Sequence, residues 1–148
     1  MMPPPGIRAL DHTADVGMEV RGDSLAQLFT RAAAGAIWTA TGKGPHGAED
    51  GVRVQVELEA DDLEGLLRSW LRDLLYRFEV EGQEVSGVDD LSFSETGSGT
   101  FTLSATVHVV PAPEHPLREI KGVTWHGLTL RGPSAPAPGW FARVIYDV

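Results

Sequence analysis

Between Val52 and Phe78 the sequence changes period once, and that change constrains the fold more than any other feature. Val52, Val54, Val56, Leu58 and Ala60 alternate with Arg53, Gln55, Glu57 and Glu59, the period of two expected of a strand with one buried face. After Asp61 the apolar positions fall three and four apart instead. Leu63, Leu66, Leu67, Trp70, Leu71, Leu74, Leu75 and Phe78 make one stripe of a helix. A stripe of this kind reads as core, and it must be buried against a partner layer. Asp61 is placed to cap the helix, with Glu64 answering it, and the acidic first turn suits the helix dipole.

The rest of the chain repeats the same two patterns. Ile7 to Arg21 reads as a short strand, a polar break at 11–15, and a second strand in which Val16, Met18 and Val20 alternate with polar or small residues. A first helix follows from Ser24. Ser24 and Gln27 have capping-box spacing, and Leu25, Leu28, Phe29, Ala32, Ala33, Ala36 and Ile37 form its apolar face. Thr41-Gly42 ends it, and Gly42 to Gly51 is a polar loop. Leu91 to Glu95 pairs across Thr96-Gly97-Ser98-Gly99 with Phe101 to Val109 as a hairpin. Ile120 to Arg131 and Trp140 to Val148 are two further strands, joined by the Pro- and Ala-rich loop 132–139. Gly122 and Gly127 inside the first of these mark a bulge or a close approach. The expected architecture is α+β: a two-layer sandwich, with two amphipathic helices packed on a largely antiparallel or mixed sheet of about seven strands. With 148 residues, the chain is expected to form one domain over 1–148, with residues 1–6 as a frayed, disordered tail.

Charge and composition exclude several classes of function. Twelve Lys and Arg against twenty-one Asp and Glu give a formal charge of −9, and no run of the sequence forms the basic stripe a nucleic-acid binder normally shows. If the chain touches RNA metabolism, the direct partner expected is a basic protein surface, with RNA touched only indirectly and DNA not at all. The chain has no cysteine, which removes disulfides, thiolate zinc sites and thiol nucleophiles. No stretch approaches the roughly 20 apolar residues of a membrane span, and the start lacks the features of a signal peptide. A soluble, cytoplasmic protein with no membrane partner is expected. The familiar catalytic motifs are missing: there is no G-x-S-x-G, no H-E-x-x-H and no dinucleotide fingerprint. Thr41-Gly42-Lys43-Gly44 lacks the spacing and hydroxyl of a phosphate loop.

Two polar places remain. His12-Thr13-Ala14-Asp15 precedes a half-buried strand, and on residue types alone it reads as a turn in which Asp15 bonds local amides. Tyr146-Asp147-Val148 closes an apolar strand. If Val148 is the natural end, its carboxylate lies one residue beyond Asp147, and two such charges about 4 Å apart cost roughly 1 kcal/mol in water. Were Asp15 to reach the same spot, three carboxylates would suit a hard ion such as Ca²⁺ or Mg²⁺; a solvated terminus is the plainer reading. Lys121 and His126 lie on the strand Ile120 to Leu128, where a lone His is more often structural. A metal-dependent hydrolase built from His12, Asp15 and His126 lacks an accompanying nucleophile.

Four segments together resemble the archease family: His12-Thr13-Ala14-Asp15-Val16-Gly17; the second helix with Trp70-Leu71 and Leu74-Leu75-Tyr76; Ile120-Lys121-Gly122-Val123-Thr124-Trp125-His126-Gly127-Leu128; and Val144-Ile145-Tyr146-Asp147-Val148. The resemblance runs from Asp11 to Val148. It implies an activator, not an enzyme, that serves the GTP- and Mn²⁺-dependent RNA-splicing ligase of tRNA splicing and RNA repair. The helper speeds guanylylation of the ligase's active-site histidine and permits repeated turnover. It also implies a divalent metal ion, calcium by preference with Mn or Mg as alternatives, held by Asp15, Asp147 and Val148. His12, Thr13, Lys121 and His126 are then the residues expected to meet the ligase or its nucleotide. The competing expectation is a chaperone-like binding protein for an RNA-modifying enzyme.

Overall fold

The computed structural model describes residues 2–11, 15–44, 51–134 and 137–148, and of Asp11 and Asp15 the backbone alone. In chain order the elements are β1 (Ile7–Asp11), β2 (Asp15–Gly22), α1 (Leu25–Thr41), β3 (Val52–Ala60), α2 (Leu63–Glu79), β4 (Gln83–Glu95), β5 (Phe101–Pro111), β6 (Gly122–Val123), β7 (Thr129–Arg131) and β8 (Trp140–Asp147). All strand pairs among them are antiparallel. The α+β class holds, and the eight strands among the described residues, close to the seven expected, divide into two sheets. One is five-stranded, ordered β1-β2-β8-β6 with β7 also on β8, and the other is three-stranded, ordered β3-β5-β4.

Both helices form where the stripes require. The Ser24 hydroxyl accepts from the Gln27 N–H at 3.0 Å, while the Gln27 amide oxygen accepts from the Asp23 N–H at 2.6 Å, a capping box displaced by one residue at its return bond. The cap of α2 is Asp62, not Asp61: its carboxylate accepts from the Gly65 N–H at 2.7 Å. The helices meet through Trp70, which is 1% exposed and donates its indole N–H to the Phe29 carbonyl at 3.0 Å. Around this bond the inward residues of both sheets close a single apolar cluster that includes Met18, Val20, Leu103, Val107, Val144 and Tyr146.

The strand expected over Ile120–Arg131 is interrupted. Both β6 and β7 lie on the same flank of β8, and between them the chain leaves the ladder at Trp125-His126-Gly127, closed by a Leu128 N–H to Trp125 carbonyl bond of 3.2 Å. Gly127 takes φ 75°, a left-handed conformation that glycine adopts freely, and a Cβ there would stand 3.0 Å from Ile145. Of the bulge or close approach expected at the two glycines, Gly127 shows the close approach, on a turn between strands; Gly122 has open space instead.

Candidate functional site

β8 lies inside its sheet, with β2 on one flank and β6 and β7 on the other. That placement assembles the candidate site. The β2–β8 register sets Asp15 opposite Asp147, and the β6–β8 register sets Gly122 on the other side of Asp147. Residues 132 positions apart in sequence (147 minus 15) thus share one cross-strand row. Directly opposed positions in an antiparallel ladder hold their Cβ atoms about 5 Å apart, within the span of a single bound cation.

Lys121 belongs to the same corner. Its N–H donates to the Asp147 carbonyl at 2.7 Å, and its side chain is exposed. This bond occupies the backbone oxygen of Asp147 and leaves the side-chain carboxylate exposed, with no hydrogen bond or ion pair among the described residues. Val148 is half-buried against the core. A carboxylate with no partner among the described residues, set by register opposite a second acidic position, is donor chemistry a hard divalent ion takes. Asp147 would supply a carboxylate oxygen, with Asp15 and, where the chain ends at Val148, the terminal carboxylate joining it. Among the described residues alone, no cluster of three or more His, Asp or Glu forms; His12 and Thr13 lie outside those residues, as does the Asp15 side chain.

His126 is exposed on the turn between β6 and β7, not on a strand. Its carbonyl accepts from the Thr124 hydroxyl at 2.9 Å, and its ring has no hydrogen-bond or ion-pair partner among the described residues. The Thr124 N–H in turn donates to the Ile145 carbonyl at 3.0 Å, which carries the edge of the site one residue beyond β6.

Gly17 explains its place in the opening motif. A Cβ there would come within 2.8 Å of the Val144 carbonyl and 2.7 Å of the Ile145 side chain, so Ile145 lies over β2 only because position 17 has no side chain. Beneath this outer surface, the Tyr146 hydroxyl reaches the Met18 sulfur at 3.6 Å. Tyr146 is fully buried, and that burial pushes its phenol well above the ordinary 10.0.

A polar pair on the second sheet, with its histidine buried and its aspartate partly exposed, escaped the sequence reading. His108, on β5, is 5% exposed and its Nε2 stands 2.7 Å from an Asp89 carboxylate oxygen on β4. The Ser86 hydroxyl bonds the His108 carbonyl at 3.1 Å, which is not the geometry of an activated nucleophile. Strand β5 alternates cleanly, with His108 on the face opposite Val107 and Val109, and a histidine there reads as solvent-facing from sequence alone.

Residues 8–148 match the archease protein family. A protein archease of Pyrococcus furiosus is 30% identical over 141 residues, covering 93% of this chain and 95% of its own. One from Methanosarcina acetivorans is 33% identical over 144 residues, covering 94% and 93%. The solution structure of Methanobacterium thermoautotrophicum protein 1598 superposes with a TM-score of 0.74 at 25% identity, covering 97% of this chain and 99% of that one. The crystal structure of a Thermotoga maritima archease, described as a possible chaperone, shares the fold with a TM-score of 0.56 at 17% identity, over 100% and 98% of the two chains.

Proposed function

The chain belongs to the archease family, and from that premise we propose that it activates a GTP- and Mn²⁺-dependent RNA-splicing ligase by bringing a metal-binding carboxylate corner to the ligase's nucleotide site. The observation that carries this reading is the register that sets Asp15 opposite Asp147 while Lys121 is hydrogen-bonded to the Asp147 backbone. Asp147, with Asp15 opposite it, would hold a divalent ion through carboxylate oxygens. Lys121 supplies a mobile positive charge beside them, suited to a phosphate oxygen. Such an ion, when bound, would supply Lewis-acid stabilisation of charge developing on a phosphoryl group. The helper itself forms no bond to RNA in this scheme.

The test is single-turnover guanylylation of the cognate ligase with GTP and Mn²⁺, with and without this protein. A large rate increase is expected, and Asp15→Ala should remove it while the circular dichroism and melting midpoint stay unchanged. Full stimulation by that variant would sink the reading. The description of the Thermotoga relative as a possible chaperone favours one alternative: protection of a partner enzyme from aggregation, which requires neither metal nor GTP.

A further inference from the structure

The outer face of the five-stranded sheet gathers the arginines that the linear sequence scatters. The registers place Arg8, Glu19, Arg143 and Thr129 in one cross-strand row, and Arg21, Phe141 and Arg131 in the next. Four arginines from four different strands therefore share one surface with Glu19. Arg8 and Arg143 both reach that carboxylate, at 2.9 and 3.5 Å. In the second row the guanidinium carbons of Arg21 and Arg131 stand 4.8 and 4.5 Å from the centroid of the Phe141 ring.

Behind this row Arg31, from α1, donates to the Arg21 carbonyl at 2.8 Å. Arg21, Arg31 and Arg131 line an open cleft of about 280 Å³ with Trp140, Phe141 and Asp23. None of the three arginines has an ion-pair partner among the described residues. In a chain of twenty-one acidic residues and twelve basic ones, this is not for want of carboxylates. The sheet sets cations here and places most carboxylates elsewhere.

We propose that this cleft and the adjoining arginine row bind the phosphate backbone of single-stranded RNA. Guanidinium groups match phosphate oxygens two at a time, and rings at their back hold them in place. Successive rows on one sheet face lie about 6.8 Å apart, twice the strand rise. One phosphate cannot serve both rows, whereas a ligand with repeated phosphates can. Trp140, half-buried at the cleft, offers a ring for an unstacked base, the mode by which proteins hold single strands. No basic stripe appears in the linear sequence because each arginine comes from a separate strand.

This inference does not rest on the ligase reading and is measured on the protein alone, so either can fail without the other. Anisotropy of a labelled oligouridylate at low salt should show saturable binding by the full chain. Its logarithmic salt dependence should fall by about 0.7 for each phosphate contact removed. Arg21→Glu with Arg131→Glu should weaken binding by about tenfold or more without lowering the melting midpoint. Should that pair disturb the fold, Arg21→Gln with Arg131→Gln reads the same contacts. Absence of saturable binding, or equal binding by folded variants, overturns the proposal. So does displacement by polyglutamate or inorganic phosphate at matched charge as complete as that by unlabelled RNA.

Discussion

The two ends of the β2–β8 ladder are built from the same backbone and carry opposite chemistry. At one end, Asp15 faces Asp147 and the chain brings Lys121 alongside. Six residues along each strand, Arg21 faces Phe141 with Arg131 beyond it. The rows are about 20 Å apart at the usual strand rise. Each end concentrates like charges that a fold selected for stability alone would intersperse with opposite ones. The inner side of the same ladder shows no such contrast: Met18, Val20, Ala142, Val144 and Tyr146 are all buried and apolar or nearly so. The ladder thus divides its residues between faces, with the apolar core inside and the charged positions outside.

That division can be broken most forcefully from within. Tyr146→Ala empties a fully buried aromatic site and is expected to cost about 3–5 kcal/mol, measured by urea denaturation. Tyr146→Phe removes a hydroxyl whose described partner is the Met18 sulfur, a weak acceptor, and should cost about 1 kcal/mol or less. Equal losses from the two would show that the hydroxyl, not the ring, holds the inner face. A second and smaller effect is set by pH. Burial holds the Tyr146 phenol neutral and its pKa above the ordinary 10.0. The unfolded chain therefore releases a proton that the folded chain keeps. Stability from this group is complete below pH 10 and declines above it, so the urea midpoint of the wild-type protein should fall in that range more steeply than that of Tyr146→Phe.

The smallest effects belong to the outer face. Asp147→Asn and Arg131→Gln should each shift stability by no more than about 0.5 kcal/mol, since both side chains are exposed and neither has an ion-pair partner among the described residues. Calcium should then separate the ends. Saturating calcium should raise the melting midpoint of the wild type and of Arg131→Gln, because a ligand held by the folded state alone stabilises it, and should leave Asp147→Asn unmoved. A calcium response retained by Asp147→Asn would remove that residue from the metal corner.

The sequence exposed the helices because their stripes are long and uninterrupted; α1 and α2 run 17 residues each. It concealed most of β4. That strand spans Gln83–Glu95 but slips register between Val85 and Gly87 and again between Asp89 and Ser92, so the alternation that identifies a strand survives only near its end. The residue Asp90, with φ 53°, sits within the second slip. Residue types cannot show that positions 15 and 147 are opposed; the metal site proposed there came from family resemblance alone. The arginine row was invisible for a related reason: pairing across strands, which no local pattern encodes, brings positions 8, 21, 131 and 143 together.

The interior position of β8 has a consequence for what can engage this surface. A strand bonded on both flanks cannot swing or fray independently, so the two chemical ends are marks on a rigid ruler. A partner that uses both must present its own groups at that interval, and one of the wrong length fails however well its charges match. Selection by size then precedes selection by chemistry.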